Sequence, residues 1–273
     1  MRKRWLPILL AVALLLALTA IASAITYGEP DEGEHPYVGL LGFYDEDGGW
    51  LWRCSGTLIA RQVVLTAGHC TAPDEELGTP VRAQIWFDEE ILIEDDGYPY
   101  FGGIMGTPVP HPLYVGLTIP ETHDIGVVLL DSAPQRIKQF GELPPAGFLD
   151  QQASLGPHDS LLTDVGYGLN DIRPEQISLR IRYKALSFLK NLTNALTDGW
   201  NLATSNNPGG WTDEGITGGT CFGDSGGPIF WGGYDSDLVV GVTSFGNSNC
   251  TGTDYAYRVD LQDSLDFLNQ FLK

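Results

Sequence analysis

The sequence predicts an all-β fold made of antiparallel strands. Short stretches rich in β-branched and aromatic residues recur along the chain, at residues 37–44, 56–60, 63–67, 81–87, 125–130, 179–183, 229–231, 238–245 and 255–259. Turn-forming residues separate these stretches throughout, since the chain contains 34 glycines and 17 prolines. Many short strands punctuated in this way indicate an antiparallel sandwich or barrel.

Two segments have a helical pattern of apolar residues instead. Leucines recur at helical spacing after Asp260, a good N-cap residue, so residues 260–273 are predicted to form a C-terminal amphipathic helix. Residues 184–197 are compatible either with a helix or with a strand followed by a loop. The stretch rich in proline and glycine at residues 141–147 is the predicted linker, which divides the chain into residues 25–140 and residues 141–273.

The first 24 residues have the features of a secretory signal peptide. Arg2, Lys3 and Arg4 precede an apolar run that ends in the small residues Ala22, Ser23 and Ala24, a pattern typical of signal peptidase cleavage. The alternative is a membrane anchor, because the apolar run is barely long enough to cross a bilayer. The small residues at its end favour cleavage, so we expect a secreted protein without stable membrane insertion.

Composition restricts the possible partners and cofactors. The formal net charge is −20, and so acidic a protein repels phosphate backbones, which argues against nucleic-acid partners. Four cysteines in an exported chain predict two disulfides, for which three pairings are possible. The sequence has neither a Cys-x-x-Cys nor a His-Glu-x-x-His motif, so we expect no metal and no cofactor. We also expect a monomer.

The strongest chemical motif surrounds Ser225, in the sequence Gly-Asp-Ser-Gly-Gly-Pro at residues 223–228. Glycines around a serine allow a tight turn and bring backbone N–H groups close to a bound carbonyl. The same motif also fits the nucleophile elbow of α/β-hydrolases, whose catalytic histidine follows the serine. All five histidines of this chain precede Ser225, which excludes that alternative.

A general base for Ser225 must therefore lie upstream, and His69 is the best candidate. It follows an apolar strand in the sequence Thr-Ala-Gly-His-Cys, where Cys70 can anchor the loop beside the imidazole. Asp124 stands at the start of the apolar run 125–130, where a buried carboxylate requires a partner. It is either the acid that orients His69 or a strand-capping aspartate in a turn.

The three motifs together, in the order His, Asp, Ser, resemble the signatures of the trypsin/chymotrypsin family of serine proteases. The resemblance covers nearly the whole chain after residue 24 and implies two six-stranded antiparallel β-barrels with the site between them. It also implies the disulfides Cys54–Cys70 and Cys221–Cys250. In this family His69 acts as the base, Asp124 orients it, and the N–H groups of Gly223 and Ser225 form an oxyanion hole.

The same resemblance suggests how substrate binds and how the protein is activated. Ser244, Phe245 and Gly246 correspond to the segment that pairs with the substrate backbone. Family members usually begin with a free isoleucine amine that pairs with the aspartate before the serine. We therefore expect Ile25, exposed by signal cleavage, to pair with Asp224; the alternative is that residues 25–28 only lead into the first strand.

The sequence says less about substrate preference. Gly219 stands where trypsin-like members carry an aspartate, so selectivity for arginine or lysine requires another acid. Asp254 is either that acid, on the opposite wall of the pocket, or a solvent-facing turn residue. The acidic run at residues 88–96 is either a solvated loop or a calcium site. The expected function is a serine endopeptidase acting on proteins or peptides; the alternative is a catalytically silent binding protein of the same fold.

Overall fold

Two antiparallel barrels follow one another along the chain in the computed structural model, which describes residues 25–91, 102–152, 155, 159–169, 176, 178–207 and 210–272. The predicted signal peptide lies outside these residues, as does most of the acidic run at 88–96. Within the described ranges, no helix combines the length and the apolar character that a membrane crossing requires.

The first barrel contains six strands and one short helix, preceded by the two-residue strand β1 (Glu29–Pro30). Its elements are β2 (Val38–Tyr44), β3 (Trp50–Ala60), β4 (Val63–Thr66), α1 (Gly68–Thr71), β5 (Arg82–Trp86), β6 (Ile104–Pro110) and β7 (Gly126–Leu130). The strands close in the order β2-β3-β4-β7-β6-β5, with every pair antiparallel. Closure leaves no unpaired strand edge in this barrel.

The second barrel also closes six strands and carries an additional hairpin. Its elements are α2 (Phe148–Gln152), β8 (Leu161–Gly166), β9 (Tyr183–Asn191), β10 (Asn201–Asn206), β11 (Gly210–Thr212), β12 (Gly215–Thr217), β13 (Pro228–Trp231), β14 (Val239–Gly246), β15 (Gly252–Arg258) and α3 (Gln262–Leu268). The order β10-β15-β14-β13-β8-β9 closes through the pairing of β9 with β10, and β11–β12 extends from β9. The predicted pair of six-stranded barrels is thus confirmed.

Two local predictions need correction, and one open alternative is decided. Residues 179–182 do not form a strand, because Arg180 has φ of 54°, a left-handed conformation that interrupts extended backbone, and β9 begins only at Tyr183. Residues 184–197 are strand and then loop, since the Asn191 and Asn194 side chains accept hydrogen bonds from the turn amides that follow β9. The C-terminal helix is capped by Leu261, not by Asp260. The Asp260 carboxylate instead accepts hydrogen bonds from the Arg258 guanidinium and from Leu149 N–H.

The two barrels share one hydrophobic core. Leu41, Val64 and Val128 of the first barrel belong to the same buried cluster as Phe230 and Val242 of the second. The N-terminal segment also crosses between the barrels. β1 pairs with β9, and Thr26 N–H donates to Gly219 O at 3.0 Å, so the first residues of the segment 25–140 lie on the second barrel.

A buried ion pair between Asp31 and Arg182 holds the N-terminal segment where it crosses from one barrel to the other. Arg182 is 2% exposed, and its Nε donates to Asp31 Oδ2 at 2.7 Å; its Nη1 donates to the carbonyl oxygens of Val38 and Phe87, each at 3.1 Å. His35 Nδ1 bonds the other Asp31 oxygen. Burial favours the neutral acid, but His35 and Arg182 outweigh it and lower the pKa of Asp31 to about 2. This pair therefore stabilises the fold above pH about 4, and the contribution is lost as pH falls towards 2.

Replacing Arg182 by methionine is expected to lower the free energy of unfolding by about 3–5 kcal/mol, because it leaves the Asp31 carboxylate buried without its cation. Urea denaturation at pH 7 would measure the loss. The double variant Arg182→Met/Asp31→Asn should recover part of it, since no unpaired charge remains. As a control, Arg82→Met breaks the exposed pair with Asp131 and should cost less than about 1 kcal/mol. Equal losses in the two single variants would contradict this prediction.

Candidate active site

His69 is held at the junction between β4 and α1 by a covalent and a polar anchor. The disulfide Cys54–Cys70 ties α1 to β3, and Trp52 Nε1–H donates to Cys70 O at 3.0 Å. The His69 side chain is 23% exposed, so one edge of the imidazole faces solvent while its backbone is fixed. Such an anchored, partly exposed imidazole suits proton transfer.

Asp124 lies just before β7, is fully buried, and is held by donors from both barrels. Its carboxylate accepts hydrogen bonds from His69 N–H at 2.7 Å and from His69 Nδ1 at 2.8 Å, and Ser244 Oγ of β14 donates to Oδ2. The contact at Nδ1 fixes the tautomer in which Nε2 is free to accept a proton. Of the two alternatives for Asp124, the structure therefore shows the contact with His69 and not strand capping in a turn.

The pair has complementary pKa shifts. Burial opposes the charged form of each group, but the mutual attraction and hydrogen bonds outweigh it. They raise the pKa of His69 above 6.5 and lower the pKa of Asp124 below 3.8. An imidazolium formed at His69 is therefore stabilised by a carboxylate that remains ionised.

Ser225 lies in the turn before β13, against the strand that leads to His69. Its carbonyl oxygen accepts a hydrogen bond from Ser55 N–H of β3 at 2.8 Å. A Cβ added at the adjacent Gly226 would lie 2.0 Å from Thr66 Oγ1 and 2.9 Å from Ala67 N, so only glycine permits this approach to the end of β4. In the described part of the chain Ser225 Oγ makes no hydrogen bond to His69; such contacts often tighten only when substrate binds.

Two backbone donors beside Ser225 are unused. Neither Gly223 N–H nor Ser225 N–H donates a hydrogen bond to any of the residues that the structure describes. Gly223 has φ of 99°, a conformation that favours glycine and shapes this turn. Because backbone N–H groups are nearly always paired, two free donors around one serine are suited to an oxyanion.

Asp224 is fully buried beneath the same turn. Its carboxylate accepts hydrogen bonds from Gly168 N–H at 2.8 Å and Cys221 N–H at 2.9 Å. Burial raises the pKa of Asp224 to about 7, although the two amide hydrogen bonds and Arg53 oppose this shift. Ile25 is also fully buried, packed against Tyr183 and Ala185. Its nitrogen belongs to a peptide bond in the full chain, so the expected ion pair with Asp224 stays a prediction.

A cavity of about 240 Å³ opens beside Ser225 and includes Asp254 in its wall. Its other lining residues come from three segments: Thr220, Cys221 and Phe222, then Thr243, Ser244, Phe245, Gly246 and Asn247, and finally Cys250. The second disulfide, Cys221–Cys250, joins the first and last of these segments. A larger cavity of about 720 Å³ lies elsewhere; the described residues of its walls include Glu34, Glu214, Asp235 and Asp237 but neither serine nor histidine.

Asp254 is 3% exposed and lies on β15, so it is not a solvent-facing turn residue. Its Oδ2 accepts hydrogen bonds from Asn206 Nδ2 and Thr220 N–H, each at 2.8 Å, and from Thr220 Oγ1 at 2.9 Å. Burial raises the pKa of Asp254 to about 6 against these hydrogen bonds. Asn206 also fills the space at Gly219, where an added Cβ would lie 2.3 Å from Asn206 Cγ.

Two contributors to the site were missed by sequence reasoning. Ser244 was assigned only to substrate pairing, whereas its hydroxyl also holds Asp124. Asn206 was not assigned at all, because an asparagine in a strand 48 residues before Asp254 carries no recognisable motif. Both contacts join residues far apart in sequence: Asn206 reaches Asp254 through the pairing of β10 with β15, and Ser244 reaches Asp124 through the docking of the two barrels.

The pKa of His69 is expected to lie above 6.5 and to fall below 6.5 in Asp124→Asn, because burial then acts without an opposing charge. NMR titration of the histidine ring protons would measure both values. Asp131→Asn, which removes an exposed carboxylate at the other end of β7, should leave the pKa of His69 unchanged. An unchanged pKa in Asp124→Asn would show that the contact does not control this imidazole.

Comparison with known proteins places the chain among serine proteases at low identity. It is 25% identical to the CLIP domain-containing serine protease B15 of Anopheles gambiae, over all of this chain and 79% of that protein. It is 26% identical to human granzyme B, over 89% of this chain and 90% of that protein. Among solved structures, HL collagenase matches with a TM-score of 0.64 at 18% identity, covering 90% of this chain and 97% of that one, which supports the fold.

The match to a family model extends over both barrels and includes every residue of the site described above. The Trypsin family model matches residues 25–267. The chain therefore belongs to the trypsin family.

Proposed function

We propose that this protein is a secreted serine endopeptidase that cleaves peptide bonds through Ser225, His69 and Asp124. The observation that carries the proposal is the buried Asp124 carboxylate bonded to His69 Nδ1 at 2.8 Å, next to a turn that holds Ser225 and two unused amide donors. An orienting acid, a base with a free Nε2 and an oxyanion site are the three parts that acyl transfer requires.

The proposed reaction has two stages. Ser225 Oγ attacks the carbonyl carbon of the substrate while His69 Nε2 takes the hydroxyl proton, and Gly223 N–H and Ser225 N–H stabilise the oxyanion. His69 then donates the proton to the leaving amine, and the peptide bond breaks to give an acyl-enzyme. A water molecule, deprotonated by His69, attacks the ester carbonyl; the ester bond to Ser225 Oγ breaks, His69 returns the proton to Oγ, and the acid product leaves. Asp124 remains ionised and stabilises the imidazolium in both stages.

Activity can be tested separately from substrate preference with a fluorophosphonate probe, which reacts with an activated serine. The processed protein should be labelled, and Ser225→Ala and His69→Ala should not be. Asp124→Asn should lower kcat on a cleaved peptide by about 10⁴-fold, because His69 then adopts the wrong tautomer. Ser236→Ala, whose hydroxyl bonds Trp231 O in the second barrel, is the matched control and should be labelled normally.

Absence of labelling in correctly processed, folded protein would contradict the enzymatic proposal. It would favour the alternative, a silent binding protein of the same fold.

Activation is proposed to depend on a free amine at Ile25. Ile25 is buried beside the second barrel, and Thr26 N–H donates to Gly219 O of the same barrel, so the segment already lies on the barrel that carries Asp224. The buried Asp224 carboxylate, with its pKa raised to about 7, has two amide donors and would be stabilised further by an amine.

Mass spectrometry of the secreted protein should find Ile25 as its first residue. An otherwise identical chain with one extra alanine before Ile25 should lose at least about tenfold in kcat/KM, since the amine can no longer reach Asp224. Asp224→Asn should show a similar loss, and the extra alanine should then add little to it. Full activity of the extended chain would rule out this activation.

Asp254 is proposed to set a preference for arginine or lysine at the cleaved bond. It is the one carboxylate among the described residues lining the cavity beside Ser225, and its ionised form attracts a cationic side chain. Since the pKa of Asp254 is raised to about 6, the carboxylate is neutral below that pH and charged above it.

The ratio of kcat/KM for peptides with arginine to those with phenylalanine should therefore rise as pH increases through about 6. Asp254→Asn should lower this ratio at pH 8 by at least about tenfold and remove its pH dependence. Asp235→Asn, an acidic residue of the distant larger cavity, should change neither. A preference that is equal in Asp254→Asn and in the unmodified enzyme would exclude Asp254 as its source.

A further inference from the structure

Four side chains from two distant parts of the chain form a cluster that shares no residue with the candidate active site. His111, Glu121 and His123 belong to the segment between β6 and β7, and Asp263 lies in the first turn of α3. His123 Nδ1 lies 2.9 Å from Asp263 Oδ2, and His111 Nε2 lies 3.4 Å from the same oxygen. One ligand atom from each of His111, His123 and Asp263 lies within 4.8 Å of the others.

The distance from His111 to Asp263 matches an edge of a tetrahedral metal site, and the shorter distance from His123 to Asp263 would have to lengthen when an ion enters. Zinc binds imidazole nitrogen at about 2.0–2.1 Å and carboxylate oxygen at about 2.0–2.2 Å, so two ligands of one tetrahedral ion lie about 3.3–3.5 Å apart. Two imidazoles on one such ion have ring centroids about 5 Å apart. The centroids of His111 and His123 are 5.2 Å apart and the two ring planes lie within 3° of parallel, so an ion can enter when one imidazole rotates and Asp263 shifts.

The surroundings of the cluster hold both imidazoles and leave Asp263 open to solvent. His111 packs edge-on against Phe267, and His123 packs edge-on against Trp200. Both histidines are at least nine-tenths buried, whereas the Asp263 side chain is 38% exposed. An ion can thus enter from the side of Asp263, and a water molecule can fill its fourth position.

The second nitrogen of each imidazole, the one that would not bind the ion, also has a polar partner. His123 Nε2 lies 3.3 Å from Glu121 Oε1, the arrangement in which an outer carboxylate orients a metal-bound histidine. His111 Nδ1 accepts a hydrogen bond from Leu113 N–H at 3.3 Å. Metal binding at Nε2 would place the proton on Nδ1 and so break that one long hydrogen bond. Tyr257 OH, 3.4 Å from His123 Nδ1, would have to turn away.

We propose that His111 Nε2, His123 Nδ1 and Asp263 Oδ2 bind a divalent transition-metal ion, with Zn²⁺ the best match. Two imidazoles and one carboxylate suit zinc, whereas calcium and magnesium take oxygen ligands. The sequence has no metal motif because the ligands are 12 and 140 residues apart, and α3 completes the site only after both barrels have formed. The ion would link α3 to the residue that immediately precedes Asp124.

Isothermal titration of the Ser225→Ala chain with Zn²⁺ and visible absorption with Co²⁺ test the site directly. One ion should bind per chain, and Co²⁺ should give the intense visible bands of tetrahedral coordination. Asp263→Asn and His123→Asn should each weaken binding at least tenfold. Glu121→Gln should weaken it about 10–100-fold through the outer contact. Affinity should fall at acidic pH, since protonated imidazoles do not bind metal.

Two control variants distinguish binding at this cluster from binding at exposed acids or at the catalytic histidine. Asp266→Asn changes an exposed carboxylate in the same helix and should leave the affinity unchanged. His69→Asn removes the catalytic imidazole and should also leave it unchanged. Since Asp263 is partly exposed, Asp263→Asn should fold normally, which circular dichroism would verify. Absence of binding would overturn the proposal. Binding that survives Asp263→Asn and His123→Asn but is lost in His69→Asn would overturn it as well.

Discussion

The carboxylate of Asp124 is the group on which the two barrels and the site depend together. A fully buried acid is costly unless donors surround it, and here the donors come from both halves: His69 from the first barrel and Ser244 from the second. The first barrel supplies two donors through His69, and the third comes only from the second barrel. The buried charge therefore couples the docking of the barrels to the orientation of the imidazole, so that disturbing either one disturbs the other.

The Asp31–Arg182 pair applies the same principle at the N-terminal end. Arg182 of the second barrel donates to two carbonyl oxygens of the first barrel, those of Val38 in β2 and Phe87 just after β5. Its charge and its remaining N–H donors are therefore paired only when the two barrels are together. Because a broken buried pair costs far more than an exposed one, this contact favours one relative orientation of the barrels over looser arrangements. The same pair thereby also helps to position the N-terminal segment that carries Ile25 and Thr26.

Sequence reasoning predicted the barrels, and it selected the candidate site residues, because both depend on local signals. Alternating strands and the motifs around His69 and Ser225 are readable over a few residues. The contacts of Asp254, Ser244 and Asn206 are not, because each joins strands that the chain separates widely. The strand predicted at residues 179–183 was wrong up to Tyr183 for a different reason: the composition favours a strand, but Arg180 has a left-handed backbone conformation, which a residue pattern does not reveal.

Asn206 has a consequence for how this pocket can change during evolution. Its side chain occupies the volume beside the Gly219 Cα and at the same time donates to Asp254. An aspartate cannot enter at position 219 until residue 206 becomes smaller, yet shrinking residue 206 first removes a donor from a buried acid. The two positions are thus epistatic, and each single step is unfavourable. Descendants of this protein are expected to keep the pair Gly219–Asn206 or to lose both members together.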